Sequence, residues 1–221
     1  MSETGPLGSR PSRLSGAAPA VLEVPTGNTY DKYGSSNPVV KRLMRGFHSA
    51  LDELWARAAP ESVLDVGCGE GVLTADWAER LGERRVVGID LDDPKLRGEW
   101  ERRARPNLDF RAEEATRLGF ADDEFDLACA IEVLEHVPAP EATVADMARV
   151  ARRWLLVSVP REPLWRALNM ARGAYLRELG NTPGHVNHWS KRSFVSMLSR
   201  HGTVEEARSP FPWTMLLVRV G

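Results

Sequence analysis

Two stretches decide the fold, Val63-Leu-Asp-Val-Gly-Cys-Gly-Glu-Gly-Val-Leu-Thr74 and Val86-Val-Gly-Ile-Asp90. The first is a short apolar run carrying Asp65, followed by a glycine turn and by residues compatible with a helix. The second apolar run ends in Asp90. This layout predicts a strand–turn–helix–strand unit whose terminal aspartate binds a ribose through both of its hydroxyls.

The glycine spacing and the charges around the turn distinguish between two kinds of nucleoside cofactor. The dinucleotide pattern G-x-G-x-x-G needs its third glycine at position 72, which is Val here, so the third glycine falls one residue early. Asp65 and Glu70 flank the turn, and two carboxylates repel a pyrophosphate but suit a cation. S-adenosylmethionine carries an ammonium and a sulfonium and no phosphate, so the charge balance favours it. A nicotinamide-dependent oxidoreductase of similar fold is the alternative.

With these residues the chain resembles the class I S-adenosylmethionine-dependent methyltransferases, particularly the small-molecule, methyltransferase type 11-like group with a D-x-G-C-G-x-G turn. The resemblance implies a methyltransferase that modifies a small-molecule or lipid-linked metabolite. It also implies that the cofactor contacts Asp65, Gly67, Cys68, Gly69, Gly71, Asp90 and Leu91. A non-catalytic scaffold that only binds the cofactor is a second alternative, although the intact turn and the intact Asp90 argue against it.

A second match lies in the middle of the chain, where residues 113–137 resemble the paired third- and fourth-strand motifs of the family. Glu114 stands where the family usually has an Asp that accepts from the adenine amino group. The resemblance also implies that Ala115 offers its backbone N–H to the adenine ring. It implies that Ala130 and Ile131 lie at the end of the fourth strand, where a backbone carbonyl is expected to receive the ligand ammonium. Glu113 and Glu132 are as compatible with solvation as with a role in the site.

His136 follows the fourth strand, and ligands of open α/β sheets bind at the carboxyl ends of the strands. Histidine has an ordinary pKa near neutrality, which suits a general base for a hydroxyl acceptor. The same histidine is equally compatible with closing the turn after the strand, and both interpretations stay open.

The segment 161–189 is predicted to be an insertion that covers the acceptor site. At helical spacing it carries one apolar face, formed by Leu164, Leu168, Ala171, Tyr175 and Leu179. Arginines surround this face. The insertion is therefore either a covering helix with solvated arginines or a basic amphipathic element that meets an acidic or lipid-linked acceptor.

The end of this insertion gathers His185, Asn187, His188 and Trp189. We predict that His185 or His188 acts as a base, or contacts the acceptor, together with Arg161, Arg166, Asn187 and Trp189. The competing interpretation is a structural one, in which the cluster is a hydrogen-bonded brace for the insertion. No Cys or acidic third ligand is near the two histidines in sequence, so no metal site is predicted.

Composition places these motifs in one domain. A chain of 221 residues with a formal net charge of −2 has a full core and no electrostatic case for nucleic-acid binding. Neither a membrane span nor a leader is evident, which predicts a cytoplasmic protein with at most peripheral membrane contact. Residues 1–24 are predicted to be a disordered tail and residues 25–221 the domain, with Tyr30 against the cofactor.

Strands alternate with helices along this domain, which predicts a mainly parallel sheet covered on both faces. The family resemblance adds a Rossmann-like, doubly wound sheet of seven strands with an antiparallel last strand.

Overall fold

A computed structural model describes residues 37–221 of the chain. In chain order its elements are α1 (Pro38–Ala58), β1 (Val63–Val66), α2 (Val72–Leu81), β2 (Val86–Asp90), α3 (Pro94–Arg102), β3 (Leu108–Ala112), β4 (Phe125–Ile131), α4 (Pro140–Val150), β5 (Ala151–Pro160), α5 (Leu164–Ala171), α6 (Lys191–Leu198), β6 (Thr203–Arg208) and β7 (Trp213–Arg219). Tyr30 and the proposed boundary after residue 24 lie outside the described residues.

The seven strands form one sheet in the order β3-β2-β1-β4-β5-β7-β6. The strands from β1 to β5 pair in parallel, whereas β7 runs antiparallel to both β5 and β6. This confirms the predicted fold class and its closing antiparallel pair. The chain winds outward from β1 in one direction and from β4 in the other, so the crevice between their carboxyl ends is the expected ligand site.

Helices cover both faces of the sheet because the strand residues alternate between two apolar cores. Leu127 and Cys129 of β4 belong to the core that includes α1 and α2. Ala128 and Ala130 of the same strand belong to the core that includes α4 and α6. Within residues 37–221, no helix combines the length and the apolar composition that crossing a membrane requires.

Two helices differ from the sequence prediction: one was not predicted, and one is shorter than predicted. Helix α3 was not predicted from the sequence, because only Leu96 and Trp100 are buried in it and too few apolar residues mark one face. The apolar spacing of the insertion predicted a helix that extends through Leu179, and this was wrong. Helix α5 ends at Ala171, and the backbone then takes positive φ at Tyr175 (53°) and Leu179 (50°), which interrupts a right-handed helix.

Candidate active site

A cavity of about 1060 Å³ lies at the carboxyl ends of β1, β2 and β4. Its floor is formed by the glycine turn after β1, the end of β2 and the segments that follow β3 and β4. Helix α1 and the insertion after β5 contribute the opposite wall. The cavity therefore occupies the crevice that the strand order predicts for a ligand.

Asp90 fixes the glycine turn through both of its carboxylate oxygens. Oδ2 accepts from the Gly69 N–H at 2.7 Å, and Oδ1 accepts from the Leu91 N–H at 2.7 Å. The turn also approaches the segment after β4 closely, since a Cβ added at Gly67 would lie 2.5 Å from a Val133 methyl carbon. Gly67 itself has φ +72°, a backbone conformation that is strained for a residue with a side chain, so the position favours glycine for a second reason.

Asp65 lies beneath this turn and is only 3% exposed. Its Oδ2 accepts from the Thr74 hydroxyl at 2.6 Å. Burial raises the pKa of Asp65 to about 7, with a further contribution from the nearby Asp90 carboxylate. Burial also raises the pKa of Asp90, and the Gly69 and Leu91 N–H groups counteract that rise. Both carboxylates would be stabilised in their charged form by a cation in the cavity.

Carboxylates dominate the lining of the cavity as a whole. Acidic side chains lie along its turn, strand ends and following loops, at Asp65, Glu70, Asp90, Glu113, Glu114, Glu132 and Glu135. Among the described lining residues, Arg172 is the one lysine or arginine. Such a lining attracts a cationic ligand and repels a pyrophosphate. This supports the inference from the sequence that the cofactor carries positive charge and no phosphate.

Glu132 is a site residue whose importance the sequence did not reveal. It follows β4 with φ 61°, a conformation that non-glycine residues adopt rarely and that recurs at functional sites. Its carboxylate accepts from the Ser158 hydroxyl at 3.0 Å and from the Trp213 indole N–H at 2.7 Å. Ser158 and Trp213 belong to other strands, so no local pattern around Glu132 indicates these contacts.

Glu135, His136 and His185 form a cluster at the cavity wall. Each offers one ligand atom, and these three atoms all lie within 4.8 Å of one another. The two imidazole rings meet edge to face, with centroids 4.8 Å apart. The His136 Nδ1 lies 3.0 Å from the Gly184 carbonyl oxygen, and because a carbonyl only accepts, Nδ1 carries the proton. In the neutral ring, Nε2 then has a lone pair.

Hydrogen bonds attach the segment 184–187 to the segment 134–137. The Glu135 carbonyl accepts from the N–H groups of Val186 at 2.9 Å and Asn187 at 3.1 Å. The Asn187 amide donates to the carbonyls of Leu134 and Val137. The bond between His136 and Gly184 adds to this set. These contacts hold His185, which is 8% exposed, against its two neighbours.

The remaining wall of the cavity is apolar and partly aromatic. Helix α1 contributes one side of it with Val39, Val40, Leu43, Met44 and Phe47. The insertion and β7 contribute the other with Trp165, Leu168, Ala171, Tyr175 and Trp213. The cavity therefore has an acidic end at the glycine turn and an apolar end beneath the insertion.

The structure brings most of the predicted cofactor residues together. The lining of the cavity includes Asp65, Gly67, Cys68, Gly69, Asp90, Leu91, Glu114, Ala115 and Ile131, and also His136 and His185. Gly71 precedes helix α2 as its N-cap, and Ala130 is buried within β4; neither lines the cavity.

Most of the residues predicted to bind the acceptor lie outside the cavity lining. The lining does not include Arg161, Arg166, Asn187, His188 or Trp189. The exposed His188 ring lies 2.7 Å from the Asn181 side-chain oxygen, and the Arg166 Nε donates to the Leu179 carbonyl. The roles proposed for all of these residues stay predictions.

Comparisons with known proteins agree with this geometry. Residues 64–154 match the family model described as a methyltransferase domain. A ubiquinone biosynthesis O-methyltransferase of Hahella chejuensis is 38% identical over 110 residues, which are 46% of this chain and 44% of that protein. A demethylmenaquinone methyltransferase of Beutenbergia cavernae is 36% identical over 152 residues, which are 66% and 60% of the two chains.

The chain thus spans about half the length of the curated relatives it matches. Among solved structures, the magnesium protoporphyrin IX methyltransferase of Synechocystis with bound S-adenosylhomocysteine superposes with a TM-score of 0.63 at 21% identity. That match covers 85% of this chain and 90% of the other. It shows the same fold, and the family model that matches residues 64–154 is of the kind that the sequence predicts.

The raised pKa of Asp65 makes stability depend on pH. Between the ordinary value of 3.8 and about 7, the folded protein holds a proton that the unfolded chain releases. The free energy of unfolding contributed by this group therefore falls as pH rises through that window. The free energy of unfolding of the wild type should fall between pH 5 and pH 8. In Asp65→Asn this fall should be smaller by roughly 2–3 kcal/mol, measured by urea unfolding without ligand.

Asp109→Asn is the matched control, because Asp109 is an exposed strand carboxylate that pairs with Arg111. Its unfolding free energy should follow the wild-type curve. Parallel pH dependence of the wild type and Asp65→Asn would contradict the assignment.

Proposed function

We infer that this chain, a member of the class I S-adenosylmethionine-dependent methyltransferases, transfers a methyl group from S-adenosylmethionine to a hydroxyl oxygen of an apolar small molecule. One observation carries the proposal. A single cavity joins an acid-rich glycine turn to an apolar chamber, and the Glu135–His136–His185 cluster lies in its wall.

The acidic end of the cavity fits the cofactor. Asp90 is held at the end of β2 by the Gly69 and Leu91 N–H groups, and each of its oxygens has a further lone pair for a ribose hydroxyl. Asp65 and the other carboxylates balance an ammonium and a sulfonium. Glu114 lies in the segment after β3, where the family resemblance assigns the adenine contact. When bound, S-adenosylmethionine supplies an electrophilic methyl group on its sulfonium.

The histidine cluster activates the acceptor. Because the His136 Nδ1 donates to the Gly184 carbonyl, the Nε2 of the neutral ring is the atom that takes a proton from an acceptor hydroxyl. The five hydrogen bonds between 134–137 and 184–187 fix the cluster before substrate arrives. Such preorganisation favours methyl transfer, since an in-line displacement depends on near-attack geometry.

The apolar end of the cavity supports an aromatic, quinone-type acceptor. Trp165, Tyr175 and Trp213 provide ring surfaces, and the side chains of α1 face them across the cavity. Two relatives are a ubiquinone biosynthesis O-methyltransferase and a demethylmenaquinone methyltransferase, whose names concern quinones. A cytoplasmic location and the absence of a nucleic-acid partner stay predictions.

Asp90→Ala tests the cofactor assignment. The substitution removes the acceptor for the ribose hydroxyls and one anchor of the glycine turn, so binding of S-adenosylhomocysteine should weaken by about 1.5–3 kcal/mol. That loss is roughly 10- to 150-fold in Kd by isothermal titration calorimetry. Asp92→Ala is the control, since Asp92 pairs with Arg97 outside the cavity and should bind normally. Equal affinities in the two variants would exclude the ribose contact of Asp90, and tighter binding of NAD than of S-adenosylhomocysteine would exclude the proposed cofactor.

His136→Gln and His185→Gln test the activation of the acceptor. Each variant should lose about 100- to 10,000-fold in turnover while it binds S-adenosylhomocysteine nearly normally. The assay follows release of S-adenosylhomocysteine with a panel of alkylated hydroquinones and catechols. His188→Gln, three residues from His185 and outside the cavity lining, should lose much less. Full activity of both cavity variants would remove the histidines from the mechanism.

A further inference from the structure

We propose that Glu135, His136 and His185 hold a divalent transition-metal ion of the Zn²⁺ type, whose open coordination position faces the acceptor end of the cavity. This proposal rests on the proposed function and refines its last step: a metal bound to the His136 Nε2 activates the acceptor hydroxyl, in place of that nitrogen acting as the base. No local sequence pattern predicts this site. The histidine nearest to His185 in the chain is His188, three residues away, and no Cys or acidic third ligand is near that pair in sequence.

The donor set is one that zinc uses. Two imidazoles and one carboxylate form the three protein ligands of catalytic zinc sites in which water or substrate takes the fourth position. The three ligand atoms here lie within 4.8 Å of one another. Ligand atoms around tetrahedral zinc are about 3.4 Å apart at bond lengths near 2.1 Å. Side-chain rotations that bring the atoms together by roughly an ångström therefore complete the site.

A hydrogen bond holds His136 in the way that is usual for a metal-bound histidine. Metal-bound histidines usually donate their other ring N–H to a carbonyl or carboxylate, which fixes the tautomer and orients the ring. The His136 Nδ1 does this with the Gly184 carbonyl at 3.0 Å, so the Nε2 lone pair is the metal-binding atom. Gly184 directly precedes the second histidine ligand. One short segment therefore supplies both His185 and the carbonyl that orients His136.

The backbone around the site is also preorganised. The Glu135 carbonyl accepts from Val186 and Asn187, so the backbone of the carboxylate ligand is bonded directly to residues that follow the histidine ligand. Glu135 is 2% exposed and His185 is 8% exposed, so two of the three ligands are shielded from bulk solvent. A ligand set on two bonded segments meets the requirement for rigid placement of a metal centre.

The position of the cluster gives the metal its role. All three residues line the cavity whose other wall is apolar and aromatic. An acceptor hydroxyl bound at the open position would lose its proton to solvent or buffer more readily, because coordination lowers the pKa of a bound oxygen. The resulting oxygen anion then attacks the methyl carbon as the carbon–sulfur bond breaks, and the bonding electron pair leaves on sulfur.

Metal binding can be measured without turnover. The full-length protein, stripped with a chelator, is titrated with Co²⁺ for tetrahedral absorption bands and dialysed against Zn²⁺ for metal analysis. We expect one equivalent of metal in the wild type. Glu135→Gln, His136→Gln and His185→Gln should each weaken Zn²⁺ binding by more than about 100-fold, since loss of an outer-shell partner alone commonly costs 10- to 100-fold. His188→Gln should bind as the wild type does.

Calorimetry with S-adenosylhomocysteine on the same preparations shows that each variant is folded and tests the proposed function separately. Normal binding of S-adenosylhomocysteine without stoichiometric Zn²⁺ or Co²⁺ binding in the wild type would overturn the metal site and leave the histidine base in place. Metal binding that survives in all three ligand variants would also overturn it. Failure of the wild type to bind S-adenosylhomocysteine would instead overturn the proposed function.

Discussion

The carboxylate of Asp90 is the contact on which the site depends. It joins the end of β2 to the turn after β1 through the Gly69 N–H and accepts from its own neighbour, Leu91. Two further N–H groups of the turn, from Gly67 and Cys68, bond to the Ile89 carbonyl at the end of the same strand. The turn is therefore anchored to β2 by both side chain and backbone. Because β1 lies beside β4 in the sheet, this anchor also sets the distance between the glycine turn and the residues that follow β4.

Charge then divides the cavity into two chemical environments. Near the turn, burial raises the pKa of both Asp65 and Asp90. The Asp90 carboxylate adds to the rise in the pKa of Asp65, and the carboxylates of Glu70 and Asp93 add to the rise in the pKa of Asp90. Toward α1 and the insertion, the lining is apolar and aromatic. Glu132, fixed by Ser158 and Trp213, lies where the segments after β4 meet the closing strands. A cation and an apolar molecule can thus occupy one cavity, each in surroundings that suit its own polarity.

Features encoded by neighbouring residues could be predicted from the sequence, and those formed across the fold could not. The glycine turn, Asp90 and the strand order follow from local spacing and from family resemblance, and the structure agrees with them. Helix α3 was missed because it buries only Leu96 and Trp100. The length of α5 was overestimated because apolar spacing continues past Ala171, although the backbone there turns left-handed. The partners of His185 come from residues about fifty positions earlier in the chain, a distance at which no spacing rule applies.

The hydrogen bonds between 134–137 and 184–187 also restrict how ligands enter and leave. The far end of the insertion is bonded to the segment after β4, so it cannot move away without breaking several hydrogen bonds at once. Residues 172–180 are different, because they have left helical geometry and include Gly173 and Gly180 at positive φ. Hydrogen bonds join this middle portion to α5 instead, from the Arg166 Nε to the Leu179 carbonyl and from the Asn169 amide to the Gly180 carbonyl, and it carries Tyr175 at the cavity wall. A movement of Tyr175 would therefore leave the contacts that hold His185 unbroken.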